Sequence, residues 1–368
     1  LGQKNHEMAN KSARQALFII TAISVFIVVL GLAFRAPLLS FIFGKVDADV
    51  MENSMVYFFY TVLSYPFIAL YDAGASIFRA QENTRGPMVI SIISNVMNIV
   101  GNGILIWVFH MGVAGAAIST LVSRIFCAVV VLYQLRKNRQ PIVVRDYLKI
   151  RPDGKMIGRI LALGIPSGIE NSMFQFGKLA IQSTVSTLGT TAIAAQAMTN
   201  MLEMLNGTAV IGVGIGLMTV VGQSLGAGRK DEAVYYMKKL MAFSEVFLII
   251  CCAVVYALAR PITMIGGMEA KSAEMCLDMM FWITIVKPMV WMFAFIPAYG
   301  MRAAGDVKFS MITSCITMWT FRFCLCVYLI RVCGMGPMAV WIGMFTDWTV
   351  RAIVFGLRFK SGKWMEHK

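Results

Sequence analysis

The chain has 368 residues, of which 58% are hydrophobic and only 14% charged, with a formal net charge of +14. A soluble domain carries about a quarter charged residues, so this composition excludes an ordinary soluble protein. The basic excess falls between apolar runs and not along one continuous face, which excludes a nucleic-acid partner.

A spanning helix needs about 20 mostly apolar residues. In chain order the sequence predicts ten: 15–36, 53–78, 88–109, 113–135, 159–188, 191–223, 233–259, 275–300, 309–330 and 337–357. Turn chemistry separates them, for example at Thr84-Arg85-Gly86-Pro87, Leu188-Gly189-Thr190 and Gly334-Met335-Gly336-Pro337. One extended polar stretch interrupts the series. It divides the chain into an N-terminal bundle (1–136), a basic cytoplasmic linker (137–157) and a C-terminal bundle (158–368). No cofactor and no metal site is expected. The eight Cys show no disulfide or ligand spacing, and the three His lie near segment ends.

Orientation follows the distribution of Lys and Arg. The connections on the N-terminal side hold 23 of the 33 basic residues, and the opposite connections hold five: Arg35, Lys45, Arg260, Lys271 and Arg331. Both termini are therefore expected in the cytoplasm.

The chain also repeats itself. Leu1-Gly2-Gln3-Lys4-Asn5-His6-Glu7-Met8-Ala9 returns 224 positions later as Leu225-Gly226-Ala227-Gly228-Arg229-Lys230-Asp231-Glu232-Ala233. Six segments separate the copies. Six is even, so the halves read as parallel repeats about an axis along the membrane normal, with a cavity between them. Two segments precede the second copy of the motif and none the first. The expected parent has twelve helices, with about 80–100 residues and two helices upstream of Leu1, at about 1.5 Å per helical residue.

Polar side chains in spanning helices tend to face the bundle interior or a wet cavity. Three segments carry them at helical spacing: Ser91, Asn95, Asn98, Asn102; Asn171, Gln175, Lys178, Gln182, with Glu170 alongside; and Gln196, Asn200, Glu203, continued by Gly207. These stripes predict a solvated pathway, with Glu170 and Glu203 as its acids. Lys178 is a candidate counter-ion for either acid. Asp72 and Arg79 form a candidate gate pair. Lys287, directly before Pro288, reads as a snorkelling side chain or one bonded to carbonyls freed by a kink. Pro66 and Pro288 read as kinks inside helices. Asp347 and Arg351, at i and i+4, are expected to neutralise each other. Arg124 and Glu245 receive no place.

Several stretches resemble the multidrug and toxic compound extrusion (MATE) family. Residues 220–233, VVGQSLGAGRKDEA, resemble its most recognisable signature. So do 191–205, TAIAAQAMTNMLEML, for the start of the same helix, and Gly164-Ile165-Pro166 for the one before. Arg79 and Arg302 match the Arg that ends two of the family's helices, and Gly112-Val113-Ala114-Gly115-Ala116-Ala117 resembles another helix start. The resemblance implies an all-α integral membrane fold of two bundles, with ten of an expected twelve helices. It implies an antiporter that exports small organic, often cationic, compounds against sodium ions or protons; a monomer in the plasma membrane is expected. The family's Asn-x-x-x-Asp pattern reads Asn98 to Asn102 here, so the resemblance does not fix the coupling ion. A lipid-linked oligosaccharide flippase of the same superfamily is the alternative, as is an inactive fragment. A membrane transferase would need clustered Asp, Glu or His beside a Gly-rich or Arg-rich loop, and the sequence has none.

Overall fold

A chain this apolar has to satisfy its backbone groups internally, and helices do so within each segment. The computed structural model describes residues 1–43, 48–137, 141–145, 147 and 150–366. Lys45 and several positions of the 137–157 stretch, Arg139 and Lys149 among them, lie outside these residues. No strand occurs among the described residues. The chain divides into two compact units, residues 3–160 with Leu1 and residues 161–368 with Gly2.

The first unit contains α1 (His6–Ala33), α2 (Arg35–Phe43), α3 (Ala48–Leu63), α4 (Tyr65–Ala80), α5 (Arg85–Gly103) and α6 (Gly112–Lys137). Helix α6 packs against α3, α4 and α5, and α4 packs against α1. The core gathers Leu17, Phe78, Ile90, Val131 and Leu135. Gly74 lets α4 approach α6, since a Cβ there would come within 2.8 Å of Val131. Helices α3 and α4 are one span broken at the buried Ser64. Arg124 of α6 donates to the Ser64 hydroxyl at 2.5 Å, which gives that half-buried arginine a place at the break. Pro66 is therefore not a kink inside a helix, as the sequence suggested. It lies in the first turn of α4, where a missing N–H costs no helical bond.

The polar stretch is not a free linker where it is described. The Val143 and Ile142 amides donate to Asn10 and Gln81 at 2.8 and 2.9 Å. The Tyr147 hydroxyl donates to the Leu132 carbonyl at 2.6 Å. Burial pushes the Tyr147 phenol up to about 12, so it keeps its proton and remains a donor. Asp153 then starts α7 (Gly154–Val185). One carboxylate oxygen accepts from the Lys155 and Met156 amides at 3.0 and 3.2 Å, and the other pairs with Lys11.

The second unit holds the rest of α7 and α8 (Thr190–Gly226), α9 (Lys230–Ile265), α10 (Ala270–Ala303), α11 (Val307–Thr317), α12 (Leu325–Arg331) and α13 (Met338–Lys360). A π-helical stretch, Met318–Cys324, joins α11 to α12. Helix α10 packs against α8, α9 and α13. The core is built on Leu202, Leu217, Met237, Ile283, Trp341 and Trp348. Ile99, Phe243, Ile265 and Leu357 stand outward, which suits a lipid boundary.

All ten expected segments are helical. Among the described residues, nine spans are long and apolar enough to cross a membrane. The seventh helix, α7, is long enough, yet its polar face of Glu170, Asn171, Gln175 and Lys178 sets it apart.

The sequence repeat is also a repeat of backbone geometry. After α8, Gly228 takes φ +76° and its amide donates to the Leu225 carbonyl at 3.0 Å, while Arg229 donates to Ser224 at 2.9 Å. This 6→1 and 5→2 pattern stops a helix and needs a left-handed residue. In the first copy Lys4 stands at the matching position with φ +56°, and its amide donates to Leu1 at 2.7 Å. The match extends to the ends of α4 and α10. Glu82 (φ +63°) and Gly305 (φ +91°) follow Arg79 and Arg302 by three residues, and Asn83 and Asp306 donate back to Phe78 and Met301.

Two stability predictions follow from these contacts. Gly343 of α13 lies against the π-helical stretch, and an added Cβ would sit 2.8 Å from the Arg322 carbonyl. Gly343→Ala is expected to cost about 1–3 kcal/mol, read as a lowered unfolding temperature of the full chain in detergent. For Asp153, the Lys11 hydrogen bond, with help from the Met156 amide, holds the carboxyl below its ordinary range. An unfolded Asp titrates near about 3.9, so this contribution is complete above that value and is lost as pH falls through the depressed one. The stability difference between the native chain and Asp153→Asn should be largest near neutral pH and shrink in acid.

Candidate functional site

Among the buried or half-buried carboxylates of the second unit, Glu170, Glu203 and Asp347 each have their own cation. Glu170 of α7 accepts from the Arg302 guanidinium of α10 at 2.6 Å and from the Ser310 hydroxyl of α11 at 3.3 Å. Glu203 of α8 pairs with the ammonium of Lys287 on α10. That ammonium is fully buried, and it also donates to the Glu203 carbonyl at 3.1 Å and to Asn206 Oδ1 at 2.6 Å. Asp347 of α13 accepts from Arg351 Nε at 2.7 Å, and Arg351 adds two bonds to Ser314 at 3.0 and 3.1 Å. Buried charges persist only when paired and hydrogen-bonded in this way.

These groups surround one cavity of about 340 Å³ in the second unit. Glu170, Lys178, Glu203, Arg302, Arg322 and Arg351 give it charge. Phe174, Trp291, Phe295, Tyr299 and Trp348 give it aromatic walls. Gly207 makes room for the Lys287 ammonium, because a Cβ there would stand 3.1 Å from Nζ. Soft aromatic walls with a few fixed charges are the usual make-up of a small-molecule pocket.

The structure brings some of the sequence-predicted residues together and separates others. Glu170, Asn171, Lys178 and Glu203 line the cavity. Gln175 is exposed on α7 and is not on the cavity wall. Gln196 is buried, accepts from the Trp341 indole at 3.1 Å and donates to Asn200 at 3.2 Å, so this pair ties α8 to α13. In the first unit Asn98 donates to Thr120 at 3.2 Å and accepts from Asn102 at 3.3 Å, while Ser119 donates to the Asn98 carbonyl. Asn98 stitches α5 to α6, and Asn95 is exposed.

Three expectations are corrected. Lys178 pairs with neither acid; it lies over the Phe174 ring at 4.8 Å. Lys287 does not snorkel but is buried on Glu203; the carbonyl bond it makes is to Glu203, across to the neighbouring helix. Arg79 donates to Ser76 at 2.8 Å instead of meeting Asp72. The i, i+4 pair Asp347–Arg351 forms as expected. Arg322 had no predicted role, yet it is buried at the cavity wall, and its Nε has no hydrogen-bond partner.

Two helical units of membrane-spanning length, the second holding a charged, aromatic cavity, are the make-up of a transporter. The sequence model of the MatE family matches residues 1–104 and 166–328, and the chain belongs to that family. It is a transporter and not an enzyme. The chain is 24% identical to the probable multidrug resistance protein NorM of Thermotoga maritima, over 99% of this chain and 78% of that one. It is also 24% identical to the probable multidrug resistance protein YoeA of Bacillus subtilis, over 93% of this chain and 74% of its relative. The crystal structure of MATE in complex with MaL6 superposes with a TM-score of 0.89, at 19% identity, over 98% of this chain and 82% of that one. The expected all-α membrane fold is borne out.

The Glu203–Lys287 pair yields a prediction. Removing one partner of a buried pair costs about 3–5 kcal/mol, because the other charge is left stranded. Lys287→Met and Glu203→Gln should each lower the unfolding temperature, with Lys287→Met the more harmful. The double substitution should be milder than the two effects added, which a double-mutant cycle reads directly.

Proposed function

We propose that the chain is a multidrug efflux transporter that exchanges small organic compounds for sodium ions or protons by alternating access. The observation that carries this reading is the pair of carboxylates, Glu170 and Glu203, in one cavity, each held by a cation on α10. An ion pair of this kind is a chemical switch. Protonation of the carboxylate, or capture of a sodium ion, removes the charge that holds the basic partner. Lys287 and Arg302 are then freed to rearrange. The coupling ion thus changes the cavity's charge and shape together, which is what exchange demands.

The relatives named as multidrug resistance proteins support the efflux direction and the small organic cargo. Placement in the plasma membrane with cytoplasmic termini rests on the asymmetry of basic residues, 23 against five. The energy is sufficient: one charge moving inward through 100 mV supplies about 2.3 kcal/mol, enough for roughly a fiftyfold gradient of a neutral cargo at one-to-one exchange.

The test is transport in vesicles containing the full chain, with sodium and proton gradients imposed separately. One gradient should drive accumulation of cargo, and Glu203→Gln or Glu170→Gln should cut that coupled rate at least tenfold. Exchange left intact by both substitutions would remove these acids from the mechanism.

A further inference from the structure

The charges around the cavity do not balance. Four cations and two carboxylates line it. Behind the wall Lys287 and Asp347 cancel each other, so two positive charges remain in excess. The excess has an address. Arg302 and Arg351 are engaged by Glu170 and Asp347, and Lys287 by Glu203. Among the described residues, Lys178 and Arg322 have no carboxylate within ion-pair distance. Glu203 and Asp347 are within electrostatic reach of Arg322, but each already holds another cation.

Lys178 and Arg322 also converge. The Lys178 ammonium and the Arg322 guanidinium lie 4.8 and 5.1 Å from the centre of the same Phe174 ring. Both also line the same cavity, so one ligand held there is within reach of both. Arg322 is only 6% exposed and its Nε is unpartnered, an arrangement that natural proteins rarely keep without a ligand or a function. Beside them Trp291, Phe295 and Met204 give an apolar wall.

We propose that the cavity takes a small amphipathic organic anion, a carboxylate or sulfonate on an aromatic body, with its charged end on Lys178 and Arg322 and its body against Trp291 and Phe295. Guanidinium suits this task because its fork matches the two oxygens of such a group. The sequence reading expected a cationic cargo. The paired acids of the cavity are not free to receive one, whereas two of its cations are free to receive the opposite charge. This inference names the cargo of the proposed transporter and rests on that reading for the word cargo alone; binding can be tested without transport.

The experiment is equilibrium binding of radiolabelled p-aminohippurate to the full chain purified in detergent, with radiolabelled tetraethylammonium as the cationic comparison. We expect saturable, salt-sensitive binding of p-aminohippurate. Arg322→Gln and Lys178→Gln should each weaken it at least tenfold, and Lys178→Arg should retain it. Lys178 lies at an exposed position, so its variants test the site even if Arg322→Gln fails to fold. Absence of p-aminohippurate binding, equal binding by all variants, or saturable tetraethylammonium binding in its place would each overturn the proposal. Anion binding without gradient-driven movement in vesicles would instead overturn the proposed function and leave the site standing.

Discussion

A charge in a hydrocarbon-bounded bundle has to find its opposite inside the protein, and in the second unit α10 supplies it. A basic residue at a helix centre costs about 2.5–3.5 kcal/mol to insert. Lys287, inside α10, offsets that cost by binding Glu203 on α8, and Arg302, in the last turn of α10, binds Glu170 on α7. The same helix lends Trp291, Phe295 and Tyr299 to the cavity. Packing, electrostatics and the pocket thus converge on one element, and its neighbours α8, α9 and α13 are arranged around it.

The duplicated motif has a physical meaning beyond ancestry. Its second copy ends a helix with a left-handed glycine and opens the next with Asp231 and Glu232, acids that suit the positive end of a helix dipole. Its first copy builds the same turn on Lys4, a residue that pays more for positive φ. There the capping is done by Asn5, whose side chain accepts from the Met8 amide at 3.0 Å. What the two copies share is therefore a turn, and different residues achieve it.

Sequence periodicity carried the local facts. Ten helices, their breaks and the Asp347–Arg351 pair were legible because each depends on residues within a turn or two of one another. Partner choice across helices was not. Glu170 meets Arg302 from 132 residues away, and Glu203 meets Lys287 from 84. No spacing rule links such positions; only the packing of α7, α8 and α10 does. Polar stripes were ambiguous for a related reason. Asn102 donates to Asn98, and Asn98 donates across to α6, while the same pattern on α7 opens to a cavity. Arg322 received no role from the sequence; it lies in the π-helical stretch Met318–Cys324, where a wider turn shifts the facing of every later side chain relative to a 3.6-residue count.

Pro288 follows Lys287 directly inside α10. Its ring nitrogen has no hydrogen to offer, so the carbonyl of Thr284, four residues back, loses its rung in the helical ladder. The clamp that binds α10 to α8 is thus fastened beside the softest point of α10's own backbone. Neutralising a single oxygen pair on Glu203 would slacken the fastening and the strut at one level of the membrane, and so a local chemical event would be felt as a change in helix direction.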